Sequence, residues 1–169
     1  MVKDQTVEYG SKVVWRLITK KESDMGVFSK TCEYAMRAVF YIAQKSHQGH
    51  KTGIREIAQN INSPESFLAK ILQKLSREGL ISSAKGPNGG FYLDEKDLNR
   101  PLADIVSAIE GDDLFKGCGM GLSYCSESNP CPLHDEFKKV RNQITIMLHQ
   151  TTIGKFNNEL INGQLTLNK

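Results

Sequence analysis

The chain has 169 residues, a formal net charge of +3, 39% hydrophobic and 24% charged residues. This is the balance of an ordinary globular protein, long enough for one cored domain with an appendage. No apolar run approaches the roughly 18 residues of a membrane span, and the patch Val13-Val14-Trp15 is broken by Arg16 without a small-residue cleavage site, which argues against a secretory signal.

A cytoplasmic location is therefore expected, where thiols stay reduced. Four cysteines then point to metal or redox chemistry and not to disulfides. Charge is uneven along the chain. Residues 28–96 carry ten Lys/Arg against six acids, which permits a polyanionic partner.

Residues 1–26 show no clean period. Met25 before Gly-Val-Phe-Ser-Lys reads as a natural start, so residues 1–24 read as an upstream extension, with a short arm packed on the domain as the other reading. From Ser29 the pattern turns helical. Ser29 or Thr31 can cap a helix whose stripe is Ala35, Ala38, Val39, Ile42 and Ala43, ending near Gly49. Thr52 is expected to open a second helix with Ile54, Ile57, Ala58 and Ile61 inward. Asn62-Ser63-Pro64 reads as a turn, with Ser63 capping and Pro64 in the first position of a third helix running to about Glu78.

That third helix divides cleanly. Phe67, Leu68, Ile71, Leu72 and Leu75 lie on one side, and Ser66, Ala69, Lys70, Gln73, Lys74 and Arg77 on the other. Leu80–Ala84 and Gly90–Leu93 follow as two strands joined by Lys85-Gly86-Pro87-Asn88-Gly89, where Asn-Gly is a hairpin signal. Another helix begins near Pro101 and ends at Gly111. A long helix covers about Leu133 to Gln150, with apolar positions 133, 137, 140, 144, 147 and 148 in a heptad-like seam. Thr151-Thr152 opens a short last helix, and residues 163–169 are expected to fray.

Helix, helix, turn, helix and hairpin is the winged helix-turn-helix plan. The third helix fits the major groove of double-stranded DNA. Lys70, Gln73, Lys74 and Arg77 can reach phosphates or base edges, the helix start at Ser63–Ser66 offers N–H groups to a phosphate, and Lys85 and Asn88 tip the wing. The plainer reading is a solvated helix face on a winged-helix protein-interaction adaptor. No nucleophile–base constellation is present, so no enzyme and no small-molecule substrate are expected.

Three of the four cysteines fall in one Gly-, Ser- and Pro-bearing loop: Cys118, six residues, Cys125, five residues, Cys131, then two residues to His134. Soft thiolates choose zinc, copper or iron–sulfur clusters. Structural zinc sites favour cysteines two to four residues apart; gaps of six and five suit a larger object with four positions to fill. His134 is the local candidate for the fourth ligand, and Glu33 a second one if a partner subunit's first helix covers the loop. A histidine at a helix start is ordinarily a capping or surface residue, and Glu33 ordinarily a solvated charge. Cys32 lies on the helix pattern as a small core or surface thiol.

The run Ser29-Lys30-Thr31-Cys32-Glu33-Tyr34-Ala35-Met36-Arg37-Ala38, the segment Ile54–Ala58, the helix Phe67–Leu75, the wing Lys85–Phe91 and the cysteine loop together resemble the bacterial iron–sulfur winged-helix transcription regulators typified by IscR and NsrR. The resemblance runs from about Phe28 to Leu160. It implies a mainly α fold: a winged helix-turn-helix with a long C-terminal dimerisation helix and a cysteine-bearing loop. It implies the divisions 27–100 for DNA binding, 101–132 for the helix and cluster loop, and 133–169 for the dimerisation helix and tail. It also implies a cytoplasmic homodimeric regulator whose Cys118, Cys125 and Cys131 hold an iron–sulfur cluster, 2Fe–2S favoured over 4Fe–4S. His134 matches the histidine of the IscR branch, and Glu33 falls where NsrR-like members supply an acidic ligand from the partner. The signal would be cluster supply, redox state or nitric oxide. The rival is a zinc-binding or cluster-free adaptor.

Overall fold

The computed structural model describes residues 27–161; the extension 1–26 and the tail 162–169 lie outside them. Among the described residues the order is α1 (Lys30–His47), α2 (Ile54–Asn60), α3 (Glu65–Arg77), β1 (Ser82–Ala84), β2 (Gly90–Tyr92), a 3-10 helix (Glu95–Asn99), α4 (Leu102–Glu110), α5 (Asp113–Lys116), α6 (His134–Gln150) and α7 (Ile153–Ile161). This is a mainly helical winged helix-turn-helix. Among the described residues no helix is long and apolar enough to cross a membrane.

The centre is α1. Ser29 caps it, its side chain accepting from the Cys32 N–H at 3.2 Å. Cys32, Ala35, Ala38, Val39, Phe40, Ile42 and Ala43 are buried. The alanines let α3, α4 and α7 pack closely around it. Phe40 stacks on Phe156 of α7 with ring centroids 4.4 Å apart, which carries the last helix back onto the first. One continuous core holds Leu68, Leu72 and Leu75 of α3, Ile105 and Val106 of α4, Leu148 of α6 and Ile153 of α7. The core therefore runs across residue 100. The cause is α1, whose apolar stripe is too wide for α2 and α3 alone to cover.

Several local expectations change. Thr52 does not open α2; Gly53 stands at its N-cap. The Thr52 backbone instead exchanges two 2.9 Å hydrogen bonds with Phe91, adding a third short pairing to the β1–β2 hairpin. Gly90 makes this possible. Its φ is 148°, and a Cβ there would stand 2.8 Å from the Thr52 carbonyl oxygen. Ser63 does not cap α3, because its hydroxyl donates to the Pro64 carbonyl at 3.4 Å and Pro64 itself is the N-cap. The turn before it is set by Asn62, with φ 54°, between the buried Ile61 and a Ser63 N–H bond to Ala58. At the wing tip positive φ falls on Gly86 and Gly90, not on Asn88-Gly89. The Gly89 N–H closes the turn on the Gly86 carbonyl at 2.9 Å, with Pro87 in the position where its fixed φ fits.

On α6 the apolar seam divides. Leu148 is buried and Ile144 packs on the core, while Leu133, Val140, Ile146 and Met147 are about half exposed. Thr152 caps α7, its hydroxyl accepting from the Lys155 N–H at 3.2 Å.

Candidate metal centre and nucleic-acid interface

The loop between α5 and α6 has no buried residue of its own. Its three thiols nevertheless converge. The sulfurs of Cys118, Cys125 and Cys131 all lie within 4.8 Å of one another, and Cys118 and Cys131 are 3.6 Å apart. His134, the first residue of α6, turns Nδ1 to within 3.1 Å of the Cys125 sulfur. Its backbone N–H bonds to the Cys131 carbonyl at 2.9 Å, so the imidazole is fixed to the start of the helix.

The long helix organises this loop. Phe137 and Arg141 line the thiol pocket beside Leu133 and His134. Arg141 donates to the Gly117 carbonyl at 2.5 Å and reaches the Lys116 carbonyl at 3.4 Å, gripping the chain just before Cys118. Phe137 lies so close over Gly119 that a Cβ there would be 2.5 Å from the ring. Beyond, Ser126 and Asn129 pair through backbone bonds of 3.2 and 3.1 Å, which folds the middle of the loop on itself. Glu127 on this turn contacts Lys138 at 2.5 Å and stands 3.5 Å from His134 Nε2. The bond from Lys138 first, and then the nearness of the His134 ring, hold its carboxyl below the usual carboxylate range.

The thiols are not equivalent. Backbone N–H groups of Leu122 and Met120 lower the Cys118 thiol to about 7. For Cys125 a Cys131 backbone bond favours the thiolate, but burial and the two neighbouring cysteines outweigh it and raise the thiol. Cys32 is elsewhere, wholly buried on α1. Burial first, then Glu110, pushes it up to about 12. Glu33 is on the first turn of α1, paired with Lys30 at 3.0 Å, and is not among the ligand group this chain brings together.

The outward face of α3 presents Ser66, Lys70, Gln73 and Arg77, all exposed, at steps of four, three and four residues along one stripe. Ala69 and Lys74 flank it. Lys74 leans away and donates to the Ile109 carbonyl at the end of α4 (3.3 Å), so it braces the helix from behind. Ser63 is half-buried at the turn, and Lys85 and Asn88 are exposed on the wing. Sequence reasoning missed Glu127, Lys138 and Arg141. For the two on α6 the one signal was spacing: His134, Phe137, Lys138 and Arg141 recur at i, i+3, i+4 and i+7, a single helix face toward the loop.

A family model described as Rrf2, iron-dependent transcriptional regulator, matches residues 28–159. A helix-turn-helix-type transcriptional regulator of Aquifex aeolicus (strain VF5) is 33% identical over 129 residues, 75% of this chain and 88% of the relative. The regulator IscR of Escherichia coli (strain K12 / DH10B) is 26% identical over 134 residues, 79% of either chain. Among solved structures, IscR of T. potens superposes with a TM-score of 0.66 at 20% identity, over 86% of this chain and 96% of that one. CymR, the global cysteine regulator of B. subtilis, gives 0.64 at 22% identity over 79% of this chain and 98% of that one. These relatives are regulators and not enzymes.

Thiol chemistry separates the cysteines. In the metal-free chain Cys118 should alkylate with a rate that rises through pH 7, because its thiolate forms there, whereas Cys32 should stay unreactive until the chain unfolds. Mass mapping of iodoacetamide-treated peptides across pH 6–9 checks both; equal labelling of Cys118 and Cys32 in the folded chain contradicts this geometry.

Proposed function

Since the chain belongs to the Rrf2 family of transcriptional regulators, we propose that it is a cytoplasmic, homodimeric, promoter-binding protein whose affinity for double-stranded DNA is set by an iron–sulfur cluster on Cys118, Cys125, Cys131 and His134. The observation that carries this reading is the convergence of three thiols and an imidazole nitrogen from a loop with no core of its own. The donor set fits a cluster, 2Fe–2S favoured over 4Fe–4S: three thiolates and one weaker, more easily lost ligand. Such a group, when bound, supplies a redox- and nitric-oxide-sensitive bond set that its supply or damage can remove.

The chain's own residues connect that loop to DNA. The loop hangs from the end of α4, where the Ser29 N–H of the α1 cap bonds Glu110 at 2.7 Å and Lys74 of α3 bonds the Ile109 carbonyl. Order in the loop therefore bears on the seat of the recognition helix. Ser66, Lys70, Gln73 and Arg77 would enter the major groove, and Lys85 and Asn88 would follow the backbone. Two recognition helices related by a dimer axis would read a two-fold operator.

A second reading keeps one observation of its own. Sulfurs on a tetrahedral zinc ion with about 2.3 Å bonds stand roughly 3.8 Å apart, near the Cys118–Cys131 separation of 3.6 Å. Zinc would make the loop a structural clip. Anaerobic purification decides: the proposal expects visible absorbance with stoichiometric iron and sulfide, lost in the Cys118→Ala/Cys125→Ala/Cys131→Ala variant while the folded chain persists. A colourless protein with one zinc establishes the second reading.

The dimer reading rests on the exposed row Leu133, Val140 and Met147, seven residues apart along and just before α6. Met147→Glu should give folded monomers, since the side chain faces solvent in one chain but a charge there cannot be buried against a partner. Ile144→Glu is no such test, because Ile144 packs on the core. Sedimentation of Met147→Glu as an intact dimer would place the interface elsewhere.

DNA contacts divide by chemistry. Lys85→Ala should weaken all duplexes alike and flatten the salt dependence by about one unit of log–log slope, the counterion released at one phosphate. Gln73→Ala should cost about 1–3 kcal/mol on the operator and little on random duplex. Wild-type chain that prefers no promoter fragment over random duplex, with or without metal and at low salt, would favour the protein-adaptor reading.

A further inference from the structure

Glu127 stands two residues past Cys125, outside every role assigned so far. Its side chain is 72% exposed, so the core does not need it. Its Oε1 nonetheless faces two groups of α6 that are one turn apart: Lys138 Nζ at 2.5 Å and His134 Nε2 at 3.5 Å.

His134 explains the arrangement. Its Nδ1 faces the thiols, 3.1 Å from Cys125. Its Nε2 is buried and makes no formed hydrogen bond, and 3.5 Å is just beyond good hydrogen-bond reach. A neutral imidazole carries one N–H. A proton on Nδ1 would remove the lone pair a metal needs, and a proton on Nε2 needs an acceptor. Glu127 is the acceptor at hand, and a small rotation of an exposed side chain closes the gap.

We propose that Glu127 is a positioning residue for His134: its carboxylate accepts from Nε2–H, fixes the tautomer that leaves Nδ1 free to bind metal, and is itself held in place by Lys138. The inference rests on the metal reading above and extends it by naming the ligating nitrogen and its support. Metal-bound histidines generally hand their second N–H to such a partner. The Glu127–Lys138 contact by itself would be an ordinary surface ion pair of little consequence. The buried Nε2 beside it is what gives the carboxylate a task. The same helix offers an internal control: Glu136 and Lys139 form a 2.7 Å pair that is exposed on both sides and has no histidine beside it.

The experiment uses full-length, cluster-loaded protein and follows iron loss to a chelator, with visible circular dichroism and the reduction potential as further readouts. If the wild-type metal is zinc, zinc loss is followed instead. Glu127→Ala should release metal about 10- to 100-fold faster. Glu127→Gln should fall between, because an amide oxygen still accepts the N–H. Glu136→Gln should match wild type. In the iron form Glu127→Ala should also raise the potential, since a negative charge facing the imidazole is gone. In a His134→Ala background Glu127→Ala should add nothing, which a merely structural role of Glu127 would not produce. Wild-type release rates in Glu127→Ala, or an equal effect with and without His134, overturn the inference while leaving a cluster on the cysteines standing. A wild-type chain that holds neither iron nor zinc overturns the metal reading and this inference together.

Discussion

Three sulfurs within 4.8 Å of one another repel as thiolates unless a cation stands among them. Each thiolate so close to another disfavours its neighbour's ionisation, and a triangle has three such pairs. The protein meets this partway. Backbone N–H groups stabilise charge on Cys118, while its neighbours push protonation onto Cys125. Arg141 adds a positive charge at the pocket wall, but its hydrogen bonds go to carbonyls and not to sulfur. A bound metal would displace the remaining protons and remove the repulsion at once, so on the proposed reading occupancy and loop order would be linked quantities.

That linkage has a short mechanical path. Ile109 and Glu110 end α4 a few residues before Cys118, and both are tied to the DNA-binding half. Glu110 accepts from the Ser29 N–H at the positive end of α1, where a carboxylate is favoured. Lys74 binds the Ile109 carbonyl at the negative end of α4, where an ammonium is favoured. Both contacts join helix ends and so resist sliding of α4 against α1 and α3. The continuous core across residue 100 works the same way: the loop-bearing helix is part of the wall that α3 packs against, not a tethered second body.

The sequence made some of this legible, for identifiable reasons. The α1 stripe and the division of α3 into apolar and polar sides are periodic, and period survives any tertiary context. The cysteine cluster was visible because three thiols in a Gly- and Pro-bearing loop have few other uses. Non-local pairing was not visible. Thr52 resembles a cap until Phe91, 39 residues on, takes its backbone. Ile144 belongs to a heptad seam by spacing and to the core by packing, because α6 is amphipathic on more than one side. Glu127, Lys138 and Arg141 look like ordinary surface charges; the loop gives them their roles only once it folds back across α6, as with Arg141 and Gly117, 24 residues apart.

The loop's stiffness is uneven, and this bears on which metal it takes. Cys118 is held by the Arg141 grip on Gly117 and by Phe137 over Gly119. Cys131 is held through its carbonyl bond to the His134 N–H at the start of a 17-residue helix. Cys125 is tied within its exposed turn by its N–H to the Leu122 carbonyl at 3.3 Å and by the Ser126–Asn129 pairing beside it, and to α6 by its 3.1 Å contact with His134 and the exposed Glu127–Lys138 pair. Nothing in the core fixes that turn, and Gly121, with φ 68°, supplies a bend next to it. Widening the thiol triangle therefore means moving Cys125 outward with its turn, at little cost in packing. A single ion would suit the small triangle, whereas a cluster would need a wider one, and Cys125 is the thiol with the least packing to lose. On the proposed reading the cage would not select by size, and selection would fall to the donor set, where one imidazole beside three thiolates would be the bond most easily broken from outside.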